Sequence, residues 1–344
     1  MSRRRVILIV LSLFVPAVFF TAVILYGRLY SPSVFPVGDE SVLLIPEEAG
    51  YEQAMDTIEA NLEIKNLKVL KWVAEKKKYP VLVKPGKYVI NKALSNNDLI
   101  NLLRGGRQTP VRITFNNIRT LNELAGKIGG QIEADSAEIM AFFSDPENYS
   151  GDGFRPETVI SVFLPDTYEF YWNTSARKLY VRMLREYNRY WNRDRIKKSE
   201  EIGLSPVEVS TLASIVDEEA LKNDEKPRIA GVYMNRLRSG MPLQADPTIK
   251  FAINNFNVNR ILYRHLETDS PYNTYKYAGL PPGPIACPSI NGLEAVLNAE
   301  KHDYLYFAAR PDFSGYHNFS RTLSEHNMNA RRYQNELNRR RIYR

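Results

Sequence analysis

Twenty-one consecutive residues, Val6 to Tyr26, carry no charge, and Arg3, Arg4 and Arg5 stand directly before them. A helix rises about 1.5 Å per residue and a bilayer's hydrocarbon core is about 30 Å thick, so about 20 apolar residues cross it. Backbone groups in that core have no water to bond, which makes the run helical despite Pro16. A cleaved signal peptide has a shorter apolar region, about 7–15 residues, followed by small residues at its cleavage site. Ile24-Leu25-Tyr26-Gly27-Arg28 offers no such site. Residues 1–5 are therefore expected to be a cytoplasmic stub and 6–26 a single transmembrane helix. Arginines are retained on the cytoplasmic side, so the bulk of the chain is expected outside the inner (cytoplasmic) membrane.

That topology changes what the charge means. The chain holds 46 Lys and Arg against 39 Asp and Glu, a net +7. Taking the three arginines from the 46 leaves 43 basic against 39 acidic residues. So small an excess is no nucleic-acid footprint. One cysteine excludes an intrachain disulfide and a multi-cysteine metal cluster. His265, His302, His317 and His326 lack metal-ligand spacing, and there is neither a G-x-S-x-G elbow nor a phosphate-binding glycine loop. No metal and no cofactor is expected. Cys287, in Ala286-Cys287-Pro288, has no activating neighbour and reads as inert.

Residues 27–40 hold two prolines and little periodicity, the pattern of a stalk. Short apolar strands are expected at 42–45, 79–83, 87–90 and 111–115, with helical patterns at 51–61, 67–75 and 99–103 between them. Such an order makes a compact α+β module over 41–115. Residues 117–200 read as mostly helical. From Leu204 the pattern is helix, helix, a long loop-rich stretch and short strands at 304–308 and 317–319. The fold class expected is α+β, with 116–344 as a mixed α+β second domain.

Ser205-Pro206-Val207-Glu208 starts a helix strongly: a capping serine, proline at the first position and glutamate at the third. Its apolar stripe runs Val209, Leu212, Ile215, Val216. At about 100° per residue Glu219 falls close to Leu212 around the axis, whereas Asp217 and Glu218 point away. One carboxyl of three is aimed into the apolar side. Burial disfavours its charge and raises its pKa, as a general acid near neutral pH requires. Three loops rich in Pro, Gly, Tyr and Asn follow: Leu243-Gln244-Ala245-Asp246-Pro247-Thr248, Ser270-Pro271-Tyr272-Asn273-Thr274-Tyr275 and Gly279-Leu280-Pro281-Pro282-Gly283-Pro284-Ile285. Rigid irregular backbone of this kind is often placed at binding sites. Tyr and Asn offer the flat apolar face and paired hydrogen-bonding atoms that suit sugars. A carbohydrate-cleaving cleft is the expectation.

These loops, with Leu212-Ala213-Ser214-Ile215-Val216-x-x-Glu219-Ala220, Asn235-Arg236-Leu237 and Phe163-Leu164-Pro165-Asp166-Thr167-Tyr168, resemble the MltG (YceG-like) endolytic murein transglycosylases. The likeness runs from the N-terminal anchor to Ser324-Glu325-His326-Asn327, and the motifs occur in order at similar separations. The resemblance implies a LysM-like module at 41–115 ahead of a catalytic domain. It also implies that the family's catalytic glutamate is Glu219, not Glu218, agreeing with the helix-face argument. The implied activity is lytic cleavage of the bond between N-acetylmuramic acid and N-acetylglucosamine, leaving a 1,6-anhydro end and terminating nascent strands. Partners implied are peptidoglycan glycan strands, the membrane and peptidoglycan synthases. Gln244, Asp246, Tyr272, Asn273 and Tyr275 are the candidate substrate-binding residues, and Asp166 is a further one. Three positions depart from the family pattern. Asp217 replaces Glu or Gln and bears on how the site is polarised; Cys287 and Ser289 bear on the shape of one loop. Two other readings remain open at this stage: a hydrolytic muramidase in which Asp246 activates water, and a non-catalytic wall-binding scaffold for synthases.

Overall fold

The computed structural model describes residues 3–258 and 260–342. The first helix, α1 (Arg3–Tyr30), continues past the expected 6–26. Within it Leu11–Tyr30 is long and apolar enough to cross a membrane, with a mean hydropathy of 1.7. Chain contacts divide the protein into two compact units. The first comprises residues 1–113 with 131–134 and 169–174, and the second the remainder.

In the first unit the expected stalk over 27–40 is corrected. Strand β1 (Pro32–Pro36) lies between β3 (Leu62–Ile64) and β5 (Leu94–Ser95) and is antiparallel to both. Pro32 and Pro36 sit at its ends, where a missing N–H costs least, and Val34 between them is fully buried. Periodicity missed it because the strand is short and proline-bounded. A second sheet pairs β2 (Ser41–Ile45) with β4 (Gly86–Ile90), Ser41 opposite Ile90 and Ile45 opposite Gly86. Alternate residues, Leu43 and Ile45 with Tyr88 and Ile90, point into the core.

Three helices cover that core: α2 (Tyr51–Asn61), α3 (Leu67–Lys76) and α4 (Asn96–Arg104). They contribute Met55 and Ile58, Leu70 and Val73, and Leu99 and Leu103 at the spacing of one helix face. Asn66 and Ser95 cap α3 and α4 through their side chains. Residues 79–83 were expected as a strand, but Tyr79–Val81 is a 3₁₀ turn. Lys78 ahead of it is left-handed (φ 59°) and Pro80 cannot donate to a ladder. Strand β6 (Val111–Phe115) pairs with β7 (Asp166–Phe170) in a two-stranded sheet.

The second unit is mostly helical: α5 (Leu121–Gly129), α6 (Ser136–Ser144), α7 (Ala176–Tyr190), α8 (Arg193–Ile202), α9 (Pro206–Glu219), α10 (Lys226–Arg238), α11 (Asp246–Ala252), α12 (Tyr263–Leu266) and α13 (Ile290–Leu297). A hairpin of β8 (Tyr306–Ala309) and β9 (His317–Ser320) and the helix α14 (Leu323–Arg339) close the chain. The architecture is α+β.

Helix α9 is the centre of this unit. Its capping box forms as expected, Ser205 receiving the Glu208 N–H and the Glu208 carboxylate receiving that of Ser205. The sequence suggested an apolar stripe, yet every residue from Val209 to Val216 is buried, because α8, α10, α11 and α13 pack around it. The polar positions on the supposed outer face satisfy themselves. Ser210, Thr211 and Ser214 donate to the carbonyls of Pro206, Val207 and Thr211 at 2.9, 2.9 and 2.8 Å.

Asp217 locks α9 to two neighbours. Its carboxylate accepts from Lys226 Nζ (2.8 Å), the Ser289 backbone N–H (2.6 Å) and Ser289 Oγ (2.8 Å). Ser289 caps α13, and a Cβ at Gly292 in that helix would lie 2.5 Å from the Asp217 carboxylate. Two of the three positions expected to bear on the site and its loop are thus partners in one contact, and Asp217 polarises a helix cap rather than the cavity described below. The third, Cys287, is buried and burial pushes its thiol well up, so it stays protonated. Replacing Asp217 by Ala leaves the nearly buried Lys226 ammonium without its carboxylate. Chemical denaturation of D217A is expected to show a loss of about 3–5 kcal/mol.

Candidate active site

Glu219 is the last residue of α9, and its carboxyl lies on the wall of a cavity of about 330 Å³. The helix turns the three consecutive acids to three different surroundings. Asp217 faces α13, and Glu218 is exposed and pairs with Arg119 at 3.1 Å. Glu219 shares its cavity with Tyr233, Arg236, Gln244, Asp246, Tyr275, Tyr306, Phe307 and His326.

Burial pushes the Glu219 carboxyl up from its ordinary 4.5 to about 7, and the negative charge of Asp246 adds to the effect. Its position at a helix C-terminus, the negative end of the helix dipole, works in the same direction. The Tyr233 hydroxyl, the Asp246 main chain and the Arg236 charge oppose the shift. The balance leaves a carboxyl that is protonated for about half the time near neutral pH. Such a group can give up a proton and take it back. The hydroxyls of Tyr233 and Tyr275 are held up by burial and stay protonated, so both remain donors.

The Asp246 loop is fixed by its neighbours. Gln244 is left-handed (φ 51°), a conformation costly for a residue with a Cβ. It is held by its N–H to the Thr274 carbonyl (3.0 Å) and by the Ala245 N–H to Thr274 Oγ1 (3.0 Å). Thr248 and Thr274 hydroxyls meet at 2.8 Å. Tyr275 donates to Asp246 at 2.5 Å. Pro247 sits in the first turn of α11, where its missing N–H costs nothing. Arg236 clamps the opposite wall, its Nη1 donating to the Leu243 carbonyl (2.5 Å) and its Nε to that of Leu305 (2.7 Å).

Of the residues expected at the cleft, Glu219, Gln244, Asp246 and Tyr275 meet in the cavity. Asn273 and Tyr272 do not line it. Asn273 is fully buried, donates to the carbonyls of Leu266 and Thr268 (both 2.8 Å) and accepts from the Tyr275 N–H (3.0 Å). With every polar atom used, it shapes the loop and offers nothing to a ligand. Tyr272 packs on Phe251 of α11 at 4.6 Å and lies outside the cavity lining. Asp166 is exposed and receives its hydrogen bond from the adjacent Thr167 N–H at the start of β7. The residues missed are Tyr233, Arg236, Tyr306, Phe307, Leu323 and His326. Arg236 and His326 stood inside motifs already singled out, and Tyr233 lies one turn before Arg236 on α10; Tyr306, Phe307 and Leu323 carry no local signal, since they arrive from a distant hairpin and helix. Among the described residues no group of three or more His, Cys, Asp or Glu is placed to hold a metal ion.

A poised carboxyl, a second acid in the same cavity and protonated tyrosines define an acid–base enzyme site on an α+β scaffold. The chain belongs to the YceG-like family, whose model matches residues 43–332. It is 33% identical to an endolytic murein transglycosylase of Bacillus subtilis, over 72% of each protein. An endolytic murein transglycosylase of Streptococcus pneumoniae is 30% identical over 77% of this chain and 53% of its own length. The crystal structure of a YceG-like protein from Listeria monocytogenes superposes with a TM-score of 0.56 at 29% identity, covering 85% of this chain and 99% of that one.

The shifted carboxyl makes a stability prediction. The folded chain binds the Glu219 proton more tightly than the unfolded chain, so wild type loses stability as pH rises from 4.5 to about 7. Glu219→Gln removes the loss. Its stability advantage is expected to be near zero below pH 4.5 and to level off above pH 7. The plateau is at most about 3 kcal/mol, the worth of a shift from 4.5 to about 7. Denaturant midpoints across that range measure it.

Proposed function

We propose that this chain is a membrane-anchored lytic transglycosylase that cuts peptidoglycan strands between N-acetylmuramic acid and N-acetylglucosamine. Glu219 protonates the bridging oxygen as the bond to the muramyl C1 breaks. The same carboxylate then accepts the proton of the muramyl 6-hydroxyl as that oxygen attacks its own C1. A 1,6-anhydro ring closes and no water is consumed. Intramolecular attack gains the large advantage of a tethered nucleophile, which substitutes for the second carboxylate of ordinary glycosidases. The observation that carries the reading is the Glu219 carboxyl raised to about 7 inside a cavity, in a chain whose family includes proteins named for this activity. Gln244, Asp246 and Tyr275 line the substrate path. Asp246 sustains the Glu219 pKa by charge and, with Tyr275, hydrogen-bonds sugar. Helix α1 anchors the protein in the cytoplasmic membrane with Arg3–Arg5 inside, which puts the active unit where nascent strands are made and allows it to terminate them. Peptidoglycan synthases are the natural neighbours there.

Asp246 in the same cavity as Glu219 keeps one rival alive, a hydrolase in which Asp246 activates water. Mass spectrometry of digested strands separates the two. Anhydro ends are expected; reducing ends one water heavier would reject the transglycosylase route. In the same assay Glu219→Gln is expected to lower the rate by at least about 10³-fold, within the range lost with a general acid–base group. A variant as active as wild type would end the assignment.

The pH profile follows from the direction of the shift. The first step needs protonated Glu219, so kcat/KM is expected to fall as pH rises through about 7. Asp246→Asn removes a charge that raises the Glu219 pKa, and the falling limb is expected to move toward acid. A limb unmoved in that variant would show that Asp246 does not set it.

A further inference from the structure

Among the described residues lining the Glu219 cavity, only His326 has a buried side-chain polar atom, Nδ1, with no hydrogen-bond partner. A buried polar group left unpaired is rare and calls for an explanation. The ring is not free to turn and satisfy itself. It stacks on Tyr306 with centroids 5.4 Å apart and planes at 27°. Tyr306 in turn lies under the Arg236 guanidinium at 5.3 Å, and that guanidinium is fixed by the carbonyls of Leu243 and Leu305. Burial and the Arg236 charge both lower the His326 pKa, so the imidazole is neutral.

A neutral imidazole carries one proton. Orphaned buried N–H groups are rarer than under-satisfied acceptors, which favours a bare Nδ1 and puts the proton on Nε2. That leaves Nε2, on a ring that lines the Glu219 cavity, as the nitrogen to meet a ligand. Packing alone does not ask for histidine here, since a phenyl ring would stack on Tyr306 as well. The arrangement gives up a hydrogen bond at Nδ1 to hold a donor in one orientation on the cavity that Glu219 also lines, the form of a preorganised ligand contact.

We propose that His326 is a substrate-binding residue whose Nε2–H donates to an oxygen of an N-acetylated amino sugar next to the bond that Glu219 breaks. The inference rests on the glycan substrate proposed above. Hydroxyl and acetamido oxygens are the acceptors such a sugar presents, and Phe307 and Leu323 supply apolar surface around them.

The test uses the full chain in detergent, carrying Glu219→Gln so that glycan binds without being cut, and purified uncrosslinked peptidoglycan strands as the probe. Adding His326→Phe keeps the stacked ring and removes both nitrogens; affinity is expected to fall at least tenfold with little change in melting temperature. Adding His326→Gln, which keeps a donor, is expected to stay within threefold. Affinity of the Phe variant within twofold of its parent would overturn the proposal. A second readout needs no change at His326: its Nε2 resonance in the Glu219→Gln protein is expected to shift as glycan saturates the site, and an unmoved resonance would also overturn it. If the parent Glu219→Gln protein binds no glycan, the substrate reading itself fails and this inference goes with it. If the parent binds and the His326 signals stay put, only the inference fails.

Discussion

Removing one carboxyl from water is the constraint around which the second unit is built. Glu219 ends a helix that is buried on every side for its last two full turns before Val216, so the carboxyl emerges from the protein interior into a small cavity. Desolvation raises its pKa, and Asp246 keeps it raised. An uncompensated buried charge would be prohibitive. Here the cost is held to what a half-protonated acid needs, because Tyr233, Arg236 and the Asp246 main chain pull the other way.

The surroundings are rigid for a reason that follows. A pKa set by burial and by the distance to a neighbouring charge holds only if the walls and the neighbour cannot move. Gln244 stands in a left-handed conformation held by its own N–H on the Thr274 carbonyl and the Ala245 N–H on the Thr274 hydroxyl, and Asn273 spends its amide holding the facing loop. Arg236 ties the loop before Asp246 to the strand that carries Tyr306 and Phe307. On the far side of α9, Asp217 anchors the helix to Lys226 and Ser289. Three adjacent acids thus do three jobs: a structural clasp, an exposed ion pair and a poised acid. The 100° step of the helix separates them.

How legible this was depended on whether the deciding interaction was local. The α9 capping box and the inward-facing position of Glu219, with Glu218 outside, follow from spacing within a few residues, and the structure has both. Strand β1 was hidden because its identity comes from β3 and β5, far along the chain, and not from its own proline-bounded pattern. Asn273 looked like a sugar ligand because side-chain chemistry shows what an amide can bond, not whether the loop has already used it. Tyr306 carried no signal and His326 stood in a motif without a role, for the complementary reason: only packing brings β8 and α14 to the cavity that Glu219 lines.

The sequence by itself determined the apolar N-terminal helix, the α+β class, the family and which carboxyl faces inward, since each depends on periodicity, capping or motif order written in neighbouring residues. The tertiary structure decided that α9 is buried all round, that Asp246 and Tyr275 join Glu219 while Tyr272 and Asn273 do not, and how far burial and charge move the acid. Those outcomes depend on distances between residues remote in sequence. Desolvation and Coulomb energies are functions of such distances, and no local pattern encodes them.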